Sequence, residues 1–72
     1  MRFPSKEQLE RLRREYSAGT RVKLTAMDDA QAPPVGTQGT VLAVDDLGDL
    51  IMRWDNGSGL NLVCGVDGFK KV

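Results

Sequence analysis

Asp55-Asn56-Gly57, which follows an alternating apolar run, constrains the fold more than any other feature of the sequence. Asn-Gly tolerates the positive φ angles of tight primed turns and is the strongest short-range signal for a β-hairpin. The acidic turn 45–49 joins the apolar run that ends at Trp54 to the apolar run before it. The stretch from Gly39 to Leu62 is therefore predicted to form a three-stranded antiparallel meander, around which the rest of the chain folds.

Two further strands are predicted on either side of the meander. Residues 20–27 alternate between apolar and polar side chains, as a half-buried strand does, and are followed by a loop with two adjacent prolines at 28–36. The apolar run 41–44 breaks the alternation, which predicts a bend where the second strand serves two sheets. The corner 64–68 predicts one turn of 3₁₀-helix, and residues 69–72 a last short strand.

The N-terminal segment has the pattern of one amphipathic helix. Ser5 and Gln8 have the spacing of a capping box, in which each side chain binds the backbone N–H of the other residue. A narrow apolar stripe follows, formed by Leu9, Leu12 and Tyr16. A helix of about three turns is marginal alone in water, so the stripe is expected to dock on the strands or on a partner. The predicted organisation is a helix in 1–18 and a β-body in 19–72.

Composition limits the classes of function. The chain has 72 residues, enough for one small domain. Its ten basic and ten acidic side chains cancel, although the helix segment is basic and the β-body acidic, so no overall field favours a nucleic acid or a membrane. One cysteine excludes an intrachain disulfide and favours a cytoplasmic setting. The lack of histidine excludes imidazole catalysis.

The predicted strand order resembles an SH3-like, partly open barrel of five strands, also used by KOW modules. Residues 19–22 and 35–41 look like the glycine-bearing first hairpin of KOW sequences, and residues 54–58 resemble the Trp-Asp-Asn-Gly turn of Mib/Herc2 domains. The resemblance implies a mainly β fold: a five-stranded SH3-like barrel preceded by one α-helix.

A wider resemblance covers nearly the whole chain. Its motifs are Phe3-Pro4-Ser5, residues 8–13, Gly19-Thr20-Arg21-Val22, Met27-Asp28-Asp29, Gly39-Thr40-Val41, Val44-Asp45-Asp46 and residues 54–58. The chain looks like a member of the uncharacterised bacterial family called domain of unknown function 4314, which is also seen in phages and mobile elements. That family brings no catalytic residue, cofactor or partner with it.

Two groups of residues are candidates for binding. Loop and turn residues form the candidate protein-binding set: Asp28, Asp29, Pro33, Trp54, Asp55 and Asn56. Trp54 shares a strand face with Leu50 and Met52, so it either fills the core or lies at the rim. Cations of the helix form the candidate nucleic-acid-binding set: Lys6, Arg11, Arg13 and Arg14. Interleaved glutamates weaken this second set.

These observations predict a small non-enzymatic interaction module that binds a protein partner through the loops of a barrel. No catalytic, cofactor or metal site is predicted, because the aspartates sit in turns, where they usually accept hydrogen bonds from the backbone. The chain is expected to be a monomer or a weak homodimer, with no membrane segment. The alternative is a KOW-like accessory protein that binds nucleic acid through the basic helix.

Overall fold

In a computed structural model, which describes residues 3–72, the chain is mainly β with one helix. The elements are α1 Lys6–Glu15, β1 Arg21–Ala26, β2 Gln38–Val44, β3 Asp49–Trp54, β4 Leu62–Val63 and β5 Gly68–Lys71. The strands form one antiparallel sheet in the order β4-β3-β2-β1-β5. The predicted helix and five strands are confirmed. Within residues 3–72 no ladder joins the edge strands β4 and β5, so the sheet is not closed into a barrel.

One face of the sheet forms the core, as the apolar alternation predicts. Its buried members are Val22, Leu24, Val41, Val44, Leu50, Met52, Trp54 and Leu62. Trp54 is only 1% exposed, and its indole N–H donates to the carbonyl oxygen of Leu60 at 2.7 Å. The sequence leaves open whether Trp54 lies in the core or at the rim, and in the structure it lies in the core. We call this buried side the inner face of the sheet.

The irregular parts of the sheet differ in detail from the sequence prediction. The register between β2 and β3 shifts between Val41 and Ala43, within the run where a bend is predicted, but both halves of β2 belong to a single sheet, so the prediction that this strand serves two sheets is wrong. The corner after β4 is a hydrogen-bonded turn rather than a 3₁₀-helix. In this turn the N–H of Asp67 donates to the carbonyl of Val63, and the Asp67 carboxylate accepts from the N–H of Val63. These two hydrogen bonds join the two ends of the turn.

The chain reverses at Asn56-Gly57 as predicted, but through a different turn. Trp54 N–H donates to the carbonyl of Ser58, so the loop has three residues, and Gly57 has a φ of 91° while Asn56 does not take a positive φ. A primed two-residue turn needs positive φ at both central residues. Asn56 instead uses its side-chain oxygen to accept the N–H of Ser58 at 3.0 Å.

Helix α1 docks on the sheet. The predicted capping box is confirmed, because Ser5 and Gln8 exchange hydrogen bonds of 2.8 and 3.1 Å. Leu12 and Tyr16 pack against the core, and the Tyr16 ring meets Phe69 edge-on with 5.5 Å between centroids. Along the part of the chain that the structure describes, no helix is long and apolar enough to span a membrane.

Candidate functional site

A groove lies between the first turns of α1, the β2–β3 turn and the end of β4. Its apolar walls are Phe3, Pro4, Leu12, Leu47 and Val63. Three of these side chains remain notably exposed: Phe3 at 65%, Leu47 at 50% and Val63 at 39%. Clustered exposed apolar groups mark interaction surfaces far more often than scattered ones do. We call this surface the groove.

Gly48 brings the β2–β3 turn close to the helix and so forms the groove. Its φ is +85°, and a Cβ at this position would lie 3.3 Å from Pro4 Cγ and 3.5 Å from Leu12 Cδ1. The turn is held by Asp45, whose Oδ1 accepts the N–H groups of Leu47 and Asp49 at 3.0 and 2.9 Å. Because the turn is fixed at both ends, Leu47 is presented at its tip.

Asp49 supplies a negative charge to the groove. Among residues 3–72 no ion pair involves its carboxylate. Partial burial, and then the nearby carboxylates of Asp45 and Asp67, raise the pKa of Asp49 above its ordinary value. Arg11 also lines the groove, on the helix side. The groove therefore combines apolar walls with Arg11 and with the Asp49 carboxylate, which forms no ion pair within the described chain.

Cys64 lines the same groove, where its surroundings disfavour the thiolate. Burial raises its pKa, and Asp49 and Asp67 raise it further. Because the thiolate is the nucleophile and the metal ligand, both roles are disfavoured here. In the described range, residues 3–72, no three cysteine or acidic side chains are grouped so that they could hold a metal ion.

The predicted protein-binding residues do not converge on the groove. Asp28 and Asp29 lie on the β1–β2 loop, and Asp55 and Asn56 on the β3–β4 turn, both at the other end of the sheet. The N–H of Asp55 donates to the carbonyl of Gln38, so this turn lies beside the start of β2.

Several of these residues have local structural partners. Asp29 accepts the N–H of Gln31 at 2.8 Å, and Asp55 pairs with Arg21, whose hydrogen bond holds the pKa of the Asp55 carboxyl below its usual range. Pro33 and Trp54 are buried. The side chains of Pro33 and Trp54 are therefore not accessible to a partner in this structure.

The predicted nucleic-acid-binding residues all lie on α1 but do not form one ridge. Arg13 faces the β2–β3 turn, where its guanidinium donates to Asp46 Oδ1 at 2.8 Å and to the Val44 carbonyl at 3.3 Å. Arg11 instead lines the groove, whereas Lys6 and Arg14 are exposed on the helix.

Sequence reasoning missed both the groove and a cationic face on the opposite side of the sheet. Register places Lys70 beside Lys23, and Arg21 and Arg53 on either side of Thr40. We call the side of the sheet that carries these residues the outer face. The alternation of β1 indicates that Arg21 and Lys23 share a side, but the strand order that adds Arg53 and Lys70 is a long-range property.

Comparison with known proteins gives a family and no relative of known activity. A protein-family model described as "Domain of unknown function (DUF4314)" matches residues 5–72. No curated protein and no solved structure matches the chain.

Proposed function

We propose that this chain, which belongs to the domain of unknown function family DUF4314, is a non-enzymatic interaction module that binds a segment of a protein partner in the groove. The family description carries no activity, so the proposal rests on the surface itself. The observation that carries it is the meeting of Phe3, Leu47 and Val63, all exposed, in one concave site.

Burial of these apolar side chains would drive binding. Removing apolar surface from water contributes roughly 25 cal/mol per Å². Leu47 stands at the tip of a turn that Asp45 and Gly48 hold in place, so little conformational entropy is lost when a partner covers it. Preorganisation of this kind favours affinity because less ordering has to occur when the partner binds.

Charge indicates which segment would fit. The Asp49 carboxylate has Asp45 and Asp67 near it and no cationic partner within residues 3–72. A lysine or arginine of the partner would neutralise this charge, whereas an acidic residue would be repelled. The proposed ligand is therefore an apolar segment that also carries a basic side chain.

We also propose a fold class, an origin, a location and an oligomeric state for the chain. The single sheet in the order β4-β3-β2-β1-β5, with a long first loop and a tight turn before β5, supports membership of the SH3-like class. The family resemblance noted in the sequence supports a bacterial or mobile-element origin, and the single cysteine supports a cytoplasmic location. A monomer or a weak homodimer remains the proposed state.

Selection from a library of random displayed peptides tests the proposal. We expect enrichment of peptides with apolar and basic residues, and Leu47→Ser should weaken their binding at least about tenfold, because it removes the exposed anchor. Val35→Ser is the matched control, since Val35 is 69% exposed but lies outside the groove. Absence of enriched peptides, or equal binding by wild type and Leu47→Ser, would contradict the proposal.

The alternative of nucleic-acid binding through the helix has less support. Arg13 is engaged with Asp46, and Glu7, Glu10 and Glu15 stand among the remaining cations of α1. Substitution of Arg11 and Arg14 by glutamine should lower affinity for oligonucleotides if the helix binds them. Fluorescence anisotropy with labelled oligonucleotides measures this affinity.

A further inference from the structure

The cations of the β-body are segregated on one side of the sheet. Residues 17–72 carry five basic side chains. Four of them belong to the outer face: Arg21, Lys23, Arg53 and Lys70. The fifth, Lys71, lies over the Tyr16 ring on the other side, with its Nζ 5.0 Å from the ring centroid.

The acidic side chains of the same body lie almost entirely outside the strands. All but Asp49, the first residue of β3, are in loops and turns: Asp28, Asp29, Asp45, Asp46, Asp55 and Asp67. Only Asp55 forms an ion pair with a cation of the outer face among residues 3–72. The β-body is therefore acidic overall, although the outer face of its sheet carries mainly basic side chains.

The outer face has the width and the polarity to follow a phosphate backbone. From β5 to β3 it spans three inter-strand steps, or about 14 Å. Gln38 and Thr40 lie between the cations, and both accept hydrogen bonds from Arg21, at 3.4 and 2.9 Å. Cations separated by small hydrogen-bonding groups are the side chains that contact phosphate oxygens in protein–DNA complexes.

We infer that the outer face binds the phosphate backbone of double-stranded nucleic acid, independently of base sequence. Single-stranded ligands are bound with aromatic stacking platforms, but Trp54 is buried, and Tyr16 and Phe69 pack against the core on the inner side. Protein partners are bound with apolar or aromatic centres, whereas Thr40 and Gln38 lie among the cations of this face. Charge complementarity with closely spaced phosphates therefore identifies the ligand.

Asp55 limits this binding. Its carboxylate holds the Arg21 guanidinium through both oxygens, and so competes with a phosphate for that side chain. Asp55→Asn removes one negative charge beside the face and releases Arg21. The variant should bind duplex DNA more tightly than the wild type.

Fluorescence anisotropy with a labelled DNA duplex over a series of salt concentrations tests the inference. Each lost phosphate contact reduces the slope of log affinity against log salt by about 0.9. The double substitution of Lys23→Gln and Lys70→Gln should therefore reduce the slope by about 2 and weaken binding at low salt. The double substitution of Arg11→Gln and Arg14→Gln changes the net charge equally and is the matched control. It should leave the slope unchanged.

Four results would overturn the inference: no binding at low salt, an equal loss in both double variants, tighter binding of the matching single strand, or full competition by a polyglutamate peptide. Circular dichroism verifies that both variants fold. If the lysine variant does not fold, Arg53→Gln replaces it, since Arg53 is exposed on the same face, and it should reduce the slope by about 1. An unchanged slope in that variant would equally exclude the site.

Discussion

Gly39 shows how a single absent side chain fixes the position of the largest core residue. In the register of the sheet it lies between Val22 and Trp54 on the inner face. A Cβ at Gly39 would be 2.6 Å from Cε3 of Trp54 and 3.1 Å from the carbonyl oxygen of Arg53. The indole thus occupies the space that a side chain at position 39 would need.

Gly39→Ala should therefore destabilise the fold by about 2 kcal/mol, the magnitude typical of overpacking in a core. Urea unfolding followed by Trp54 fluorescence measures the loss. Gly59→Ala is the control, because no heavy atom lies within 4 Å of a Cβ at Gly59 and its φ is not in the left-handed region. Equal unfolding midpoints for the two variants would show that Trp54 does not pack against Gly39.

The raised pKa of Asp49 predicts that the stability of the fold depends on pH. Its pKa is raised in the fold by desolvation and by Asp45 and Asp67, so its ionisation destabilises the native state. The stability of the wild type should therefore fall as pH rises from below the unfolded pKa through the raised folded pKa. Asp49→Asn should melt at a higher temperature than the wild type at neutral pH, and the difference should vanish in acid.

Asp28→Asn is the control for this measurement, because Asp28 is exposed on the β1–β2 loop and lies outside the groove. Thermal melts of the three proteins across the acid-to-neutral range provide the comparison. A lower melting temperature for Asp49→Asn at neutral pH would mean that the Asp49 carboxylate has a stabilising partner.

At the scale of elements, the docking of α1 is the feature with the clearest energetic consequence. Leu12 packs against the core from a helix that is short enough to be marginal in isolation. Leu12→Ala should lower the free energy of unfolding by about 2 kcal/mol, near the lower end of values for leucine truncation. Arg14→Ala, on the exposed side of the same helix, should change it little. An unchanged midpoint for Leu12→Ala would make α1 an appendage.

Elements that depend on local chemistry were predictable from the sequence. The capping box at Ser5 and Gln8 involves residues three apart, and the alternation of β1 and β3 is read directly from the chain. The meander is predicted to end at Leu62, whereas its last strand, β4, begins there and has only the residues Leu62–Val63. Just before it, the side-chain oxygen of Asn61 accepts the N–H of Met52 at 3.2 Å, in place of a backbone carbonyl.

The groove could not be predicted in the same way. It combines Phe3, Leu47 and Val63, which are far apart in sequence and meet only because α1 docks beside the β2–β3 turn. The sequence identifies the loop candidates by residue type alone. Residue type does not show that Pro33 and Trp54 are buried, or that the Asp55 carboxylate is bound to Arg21.

At the scale of the whole molecule, two different surfaces lie apart on one small sheet. The groove has apolar walls with Arg11 and Asp49 in its lining, whereas the outer face carries Arg21, Lys23, Arg53 and Lys70. A formal net charge of zero conceals this segregation, since it averages over positions that the fold keeps separate. Under the two proposals, a protein segment and a nucleic-acid duplex would contact different residues of the chain.

The central claim is that a protein partner binds in the groove rather than at the loops of the opposite end. Backbone amide NMR of the ¹⁵N-labelled chain, titrated with a selected peptide, tests this most directly. Binding in the groove should give the largest chemical-shift changes at Leu47, Gly48 and Val63. Changes concentrated in residues 28–36 and 55–57, with the groove amides unmoved, would contradict it.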